Sequence, residues 1–532
     1  MFKKLLPQTQ LSLITLISAF AAGASTSLSF APYNVWLLMP LALAFALWQS
    51  QLLAGKYAFR YWLAFGFGTF AIGISWVHVS MATFGGLPLI VSIALMSVLS
   101  LYLGLYPALA GYLLNKLITP QDSFSSLRDR RIQLFKYLGL FPALWVLTEW
   151  LRGWIMTGFP WLWAGYSQTS GPLSELASII GALGLSFILA LIAGALMLAI
   201  QRRLLPLLGV LTLVISAAII TPQLNPITPS GKSVKVALVQ GNIAQSMKWE
   251  PGALWPTMLK FMDLSREHFD QQSSIDIVIW PEAAIPAPEA MVEDFLLNSN
   301  QVANLNNTAI ITGIISRQEQ NFYNSLIVLG NHNSKQQPNG DYQIGGANEF
   351  RKHHLLPIGE FVPFAALLRP LAPLFNLPMS SFQQGDFVQP NLTALGYKVA
   401  PAICYEIVFP EQVRANTQTD TDFILTVSND AWFGASNGPL QHMEIAQMRA
   451  IEMGKPLLRA TNNGVTAVVD PYGKIVDILP QFVTDVLIND VALYQGETWF
   501  KRIGQTPLLT LCWLLLLFAL WIKYQGLTHR KS

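Results

Sequence analysis

Long apolar runs separated by short polar ones fill the first 220 residues, and one more appears near the end of the chain. A helix that crosses a bilayer needs about 17–25 mostly apolar residues. Eight runs reach that length, at 10–29, 33–50, 60–81, 87–114, 137–155, 176–200, 204–220 and 506–523. They predict eight transmembrane helices. Between the seventh and the eighth the pattern changes to short apolar stretches set among polar ones. KVALVQGNI (235–243), IDIVIWPE (275–282), TAIITGIIS (308–316), NSLIVLG (324–330), YKVAPAICYE (397–406), FILTVSND (423–430) and GVTAVVD (464–470) read as mostly buried strands. The stretches 253–270, 289–304 and 439–453 read as helices. Strand–helix alternation of this kind predicts an α/β domain with layered sheets. The expected organisation is a membrane domain of seven helices over 1–220, an α/β domain over 221–504, and an eighth helix with its tail over 505–532.

Basic residues orient these elements, because cytoplasmic loops are enriched in Lys and Arg. Lys3 and Lys4 precede the first run, and Lys56 and Arg60 lie between the second and third. Lys116, Arg128, Arg130, Arg131 and Lys136 join the fourth to the fifth, Arg202 and Arg203 join the sixth to the seventh, and Lys523, Arg530 and Lys531 follow the eighth. The alternate connections at 30–33, 82–86 and 156–175 carry neither residue. This parity puts both termini in the cytoplasm. The 221–504 region then faces the other side, which is the periplasm in a cell that has one. The first run also fits a signal peptide, with Ala21–Ala24 after it. The short 30–33 connection, which looks like a hairpin between two helices, favours a retained span.

Composition agrees with a membrane protein. Charged residues are 12% of the chain, against about 25% in soluble domains, and the mean hydropathy is +0.41. A net charge of +3 is too small to indicate nucleic-acid binding. Two cysteines, Cys404 and Cys512, exclude a disulfide framework. Cys512 lies in the last apolar run, which leaves Cys404 as a lone thiol in a polar region.

Three elements of the α/β region end in unusual polar residues. IDIVIW runs into Pro281 and Glu282, FRKHHLLPIGEFVP holds Lys352 and Glu360, and YKVAPAI runs into Cys404, Tyr405 and Glu406. Rigid strands that end in loops are good positions for catalytic groups. A thiol with a pKa near ~8.5 needs a base or a cation to become a nucleophile. Glu282 can take the proton if a partly dry pocket raises its own pKa. Lys352 can favour the thiolate and stabilise an oxyanion, with the Tyr405 backbone N–H as a second donor.

A Glu, a Lys and a Cys from three separate elements resemble the signature of the nitrilase superfamily. With eight membrane runs added, the whole chain resembles its membrane-bound branch, the apolipoprotein N-acyltransferases. KHHLLPIGEFVP, ICYEI, SNDAWFG and RATNNG match that family in order. The resemblance implies a layered α-β-β-α sandwich for the extracytoplasmic domain, with Glu282, Lys352 and Cys404 as the catalytic triad and Glu360 and Glu406 as supporting residues. It implies a membrane phospholipid as acyl donor, a diacylated apolipoprotein as acceptor, a thioester on Cys404, and neither cofactor nor metal. The enzyme is expected to act as a monomer in the bacterial inner membrane.

Other polar residues get weaker readings. His353 and His354 are adjacent, so on a strand they point to opposite faces and make a poor metal pair. His442, Glu444 and Arg449 read as the solvated face of the 439–453 helix. Glu149 and Arg152 are three apart near the outer end of the fifth run. They can pair on one helix face, and Arg152 can either hold a phospholipid phosphate or snorkel to the interface. The charge-poor stretch 364–382 reads as a loop that admits acyl chains or as a packed core loop. Trp249 in SMKWEP, and Trp432 with Phe433 in DAWFG, are candidate walls of the acyl pocket.

Overall fold

Alternation along the strands of the α/β region decides how they layer. In the strand Thr228–Gln240 (β1), Val234, Val236 and Leu238 join one apolar cluster, while Ala237 and Val239 join another. Successive side chains of a strand point to opposite faces, so both faces of this sheet are covered. The computed structural model describes residues 11–118, 127–246, 248, 250–269, 274–331, 341–357, 359–361 and 382–528. Of the sequence readings, Trp249 and nearly all of 364–382 lie outside the described residues.

The chain divides into two compact units. One comprises Met1–His78, Leu89–Asn225 and Arg502–Ser532; the other comprises Val79–Pro88 and Pro226–Lys501. The second unit contains two sheets. The first holds β1, β2 (Ile277–Ile279), β3 (Ile285–Pro288), β4 (Ala309–Gln318), β5 (Asn321–Leu329), β6 (Glu349–Arg351) and β13 (Asp485–Gln495), in the order β13-β1-β2-β4-β5-β6 with β3 beside β4. The second holds β7 (Leu392–Ala394), β8 (Tyr397–Ile403), β9 (Phe423–Ser428), β10 (Leu457–Thr461), β11 (Ala467–Val469) and β12 (Ile475–Ile478), in the order β12-β11-β10-β9-β8-β7. The middle strands run parallel, β1 with β2, β2 with β4, and β8 with β9 and β10.

Val236, Ile279, Ile311 and Phe350 of the first sheet meet Val399, Leu425, Leu458 and Val468 of the second in one buried cluster between them. The outer face of the first sheet packs on Met258 and Phe261 of the helix Leu254–Arg266 and on Leu296 of the helix Glu293–Leu305. The helices Pro410–Asn416 and Gly438–Met453 pack on the second sheet, as its contacts with β8 and β10 show. The unit is thus layered α-β-β-α. Parallel strands buried on both faces explain the near-continuous apolar runs in their sequences.

In the other unit a helix falls on each of the eight apolar runs. Among the described residues, four have the length and apolarity to cross a membrane: Leu89–Leu117, Ser174–Ile200, Leu204–Leu224 and Thr506–Gln525. Gly55–Gly73 reaches that standard only when taken with Trp76–Phe84, and Leu13–Ser29 and Leu38–Ser50 are shorter. Of the eight expected spans, those four meet the standard alone. Leu13–Ser25 is 13 residues long, about 20 Å at 1.5 Å per residue, short of a hydrocarbon core of about 30 Å. Its run ends in serines that form a 3₁₀ turn, Thr26–Ser29. The fifth run also differs. Leu127–Phe135 continues through the π-helical turn Lys136–Leu140 into Phe141–Arg152, so charged and apolar stretches share one helical path. Small residues set the closest approach. A Cβ on Gly23 would lie 1.8 Å from the Phe65 carbonyl oxygen, and one on Gly68 would lie 2.1 Å from that of Phe20. Helices pack closely in membranes where such residues face each other.

Candidate active site

Glu282 follows β2 by three residues, Lys352 follows β6 directly, and Cys404 follows β8 directly. Lys352 Nζ lies 3.1 Å from Glu282 Oε1 and 2.9 Å from Glu360 Oε2. The lysine is 1% exposed, so both ion pairs form away from water. Asn324, at the buried part of β5, completes the cluster. Its Nδ2 donates to Glu282 Oε1 at 2.9 Å and to Glu360 Oε1 at 2.8 Å. The backbone N–H of Asn429 donates to Glu282 Oε2 at 2.9 Å, and that of Leu356 to Glu360 Oε2 at 2.7 Å. Each carboxylate therefore has both oxygens satisfied, which is what a buried charge requires.

Electrostatics follow from this geometry. Burial pushes the Glu282 carboxyl up, but Lys352 and the Asn324 hydrogen bond outweigh it, and Glu282 sits below its ordinary value. The dry pocket that Glu282 needs to act as base is present, but the cation at 3.1 Å outweighs it in the resting site. Burial holds the Lys352 proton less firmly, yet the two carboxylates raise its pKa well above the ordinary lysine value. Cys404 shows the reverse. Burial and the Glu282 charge push its thiol up, against the opposing pull of Lys352. These shifts favour a neutral thiol beside an ionised Glu282. Two carboxylates share Lys352, so its pull on the thiol is outweighed.

Cys404 has φ +52°, a left-handed backbone that a residue with a side chain adopts only at a cost. It opens the 3₁₀ turn Cys404–Val408. Glu406 of that turn is fully buried. Its Oε2 accepts from the Ile403 N–H at 2.7 Å; its Oε1 accepts from the His353 N–H at 2.7 Å and from Gln412 Nε2 at 2.6 Å. One carboxyl thus ties the chain before Cys404 to the chain after Lys352. Burial raises the Glu406 pKa, and these donors oppose the rise. Tyr405 is buried with its ring 5.1 Å from that of Phe409.

Trp432 is half-buried in the turn Asp430–Phe433; its carbonyl accepts from Ser80 Oγ at 2.7 Å, and its ring meets Phe84 at 5.7 Å. Arg152 is 3% exposed in the helical unit and donates to the carbonyls of Phe159 at 2.8 Å and Trp161 at 2.5 Å. These bonds tie Arg152 Nη1 to the turn after its helix. Glu149 Oε1 accepts from the Ala164 N–H at 2.8 Å. His353 Nδ1 faces the Gly385 carbonyl, and His354 stacks on Phe409 beside Gln412. The solvated-face reading of His442, Glu444 and Arg449 is corrected: all three are at most 3% exposed.

Several residues escaped the sequence reading. Asn324 had no signal beyond a polar residue opening an apolar strand. Lys248 sits beside Trp249 in SMKWEP. It is 4% exposed, and its Nζ donates to the Glu282 carbonyl oxygen at 3.1 Å. Burial lowers its pKa to about 8, while Glu282 and Cys404 act to raise it. Ser428 Oγ lies 3.3 Å from Cys404 Sγ. Arg459, fully buried, donates to Asp430 Oδ2 at 2.8 Å.

A thiol, a carboxylate base and a buried lysine can together perform acyl transfer through a covalent intermediate. Residues 235–500 match the carbon-nitrogen hydrolase family. Residues 22–195 match the apolipoprotein N-acyltransferase N-terminal domain. The chain is 67% identical to the apolipoprotein N-acyltransferase of Shewanella oneidensis over 96% of each protein. It is 48% identical to that of Photobacterium profundum over 93% of each, and 37% identical to that of Haemophilus influenzae over 97% of this chain and 96% of the other. With an N-terminal and a catalytic domain both matched and the whole length covered, the chain belongs to the apolipoprotein N-acyltransferase family.

Proposed function

We propose that the enzyme moves an acyl chain from a membrane phospholipid to the α-amine of the diacylglyceryl-modified N-terminal cysteine of an apolipoprotein, through a thioester on Cys404. The single observation that carries this reading is the buried Glu282–Lys352–Glu360 cluster set against a strained Cys404 at the end of a parallel strand. Glu282 takes the thiol proton. The thiolate attacks the donor ester, and Lys352 and the Tyr405 N–H meet the oxyanion. Turning one Lys352 N–H from Glu282 to the oxyanion also removes the cation that holds Glu282 acidic. The base therefore strengthens as the charge it must balance develops. The tetrahedral intermediate collapses, Glu282 returns the proton to the leaving alkoxide, and a lysophospholipid departs. In the second half the amine attacks the thioester, Glu282 takes its proton, and the thiolate leaves.

Trp249 and Trp432 are proposed walls of the lipid site. The enzyme is proposed to work as a monomer in the inner membrane, with eight crossings, both termini in the cytoplasm and the catalytic unit in the periplasm. The basic-loop parity and the eight helix-forming runs support that topology.

Ping-pong order tests the mechanism. Acyl-labelled phospholipid alone should leave hydroxylamine-sensitive label on Cys404. A diacylated lipopeptide with a free α-amine should discharge it, and the same peptide with a blocked amine should not. Release of label as free fatty acid regardless of acceptor would overturn the transferase mechanism.

A further inference from the structure

Behind Cys404 lies a second buried polar group that the steps above do not use. It consists of Ser428 at the end of β9, Asp430 two residues on, His442 on the helix Gly438–Met453 and Arg459 on β10. None is more than 1% exposed. Asp430 is a carboxylate: Arg459 Nη2 lies 2.8 Å from Oδ2, and the arginine cannot give up its proton. Room for that carboxylate is built in, since a Cβ on Gly464 would come within 2.1 Å of Asp430 Oδ2.

His442 is a fixed part of the group. Its Nδ1 lies 3.0 Å from Arg459 Nη2, which only donates, and 3.5 Å from Asp430 Oδ1, too long for a good hydrogen bond, so Nδ1 accepts from Arg459. The ring proton is then on Nε2, 3.1 Å from the Cys404 carbonyl oxygen, and it donates there. The strained backbone of the nucleophile is pinned through its own carbonyl.

Ser428 is the part that can move. Its Oγ lies 2.6 Å from Asp430 Oδ1 and 3.3 Å from Cys404 Sγ, and the hydroxyl has one proton for two acceptors. A hydrogen bond to a carboxylate is much stronger than one to a thiol, whereas a thiolate competes on equal terms. Resting on the thioester reading above, we infer that Ser428 is a two-position rotor at the reacting sulfur. Its hydroxyl donates to Asp430 while Cys404 is a thiol or thioester and turns to the sulfur when Cys404 is a thiolate. The Ser428 proton never leaves its oxygen; the thiol proton still goes to Glu282. Asp430 thus competes with the thiolate for one donor and keeps Cys404 protonated between turnovers. When an amine expels the sulfur, the same donor receives it. The charged groups that act on Cys404 are Glu282, Lys352, Lys248 and Asp430, so the rotor adjusts a balance that the first three set.

The test is the pH midpoint of Cys404 alkylation by iodoacetamide in the purified full-length protein, with Cys512→Ala to leave one thiol. Ser428→Ala should move the midpoint up by about one unit and slow acyl charging about tenfold or more, the worth of one hydrogen bond to a charged group. Ser428→Thr should restore both. Asp430→Asn should move the midpoint down, and that shift should shrink in the Ser428→Ala background. An unmoved midpoint in Ser428→Ala overturns the rotor, as does an Asp430→Asn shift of equal size with and without the hydroxyl. If Asp430→Asn does not fold, the Ser428 pair still decides. Failure of the thioester reading registers separately, as acyl transfer by Cys404→Ala.

Discussion

Lys352 has competing obligations, and that competition shapes what substitutions should do. Its ammonium already contacts three carboxylate oxygens of Glu282 and Glu360. Lys352→Ala should abolish charging and destabilise the fold by about 3–5 kcal/mol, because it strands two buried carboxyls. Lys352→Arg should rescue poorly, since a planar fork cannot replace a compact charge; thermal melts beside charging rates would separate the two effects. Asn324→Leu should cost about 1.5–3 kcal/mol for lost bonds to charged groups and slow charging, with Cys404 still reactive toward small alkylating agents. Cys404→Ala and Cys404→Ser should both fold and transfer nothing, while Cys512→Ala should remain active. Full transfer by Cys404→Ala would remove the nucleophile from the mechanism. Glu282, Lys352 and Cys404 stood out in the sequence because each stands in a recognisable motif and Glu282 and Cys404 follow apolar strands; the structure brings Glu282 and Lys352 to 3.1 Å. Asn324, Lys248 and Ser428 did not stand out. A polar residue inside or beside an apolar strand looks the same whether it meets water or a buried carboxylate.

The turns after the strands matter as much as the strands. Glu406 draws two chain segments together with one carboxyl, accepting N–H groups from Ile403 and His353 and the Gln412 amide. Glu406→Gln places a donor where at least one of those donors must sit. It should lose most charging activity and cost about 1–3 kcal/mol for the stranded group. Native-like melting with full activity would show that the tie is dispensable. The layered sheets were readable from apolar periodicity, and the seven strand readings fall on strands of the structure. The helix Gly438–Met453 was not readable in the same way. Its His442, Glu444 and Arg449 resemble a solvated face, yet the groups that satisfy His442 are Arg459 and the Cys404 carbonyl, separated in sequence and adjacent only in the fold.

At the scale of the whole molecule, the topology rests on loop charge, which no helix boundary can replace. A tag after Ser532 should be protected from an impermeant protease applied outside the inner membrane, while the same reagent should reach the 226–501 region. Cleavage of the tag from outside would mean an odd number of crossings. The sequence located every apolar run but overestimated several lengths, because apolarity continues through turns such as Thr26–Ser29 where the helix does not.

One connection has a consequence for modularity. The ten residues Val79–Pro88 belong to the catalytic unit although the chain on both sides of them belongs to the helical one. The chain therefore passes between the units four times, and the short insert lays Ser80 and Phe84 on Trp432, two residues past Asp430. A fragment cut at 226 and 501 should therefore lack activity, which an assay of that fragment would check. It would lose the hydrogen bond to the Trp432 carbonyl and the ring contact on Trp432, two residues past Asp430 of the group that pins Cys404. Transplanting the catalytic domain onto another anchor should therefore require carrying this decapeptide with it, as a second strand of inheritance from a distant part of the chain.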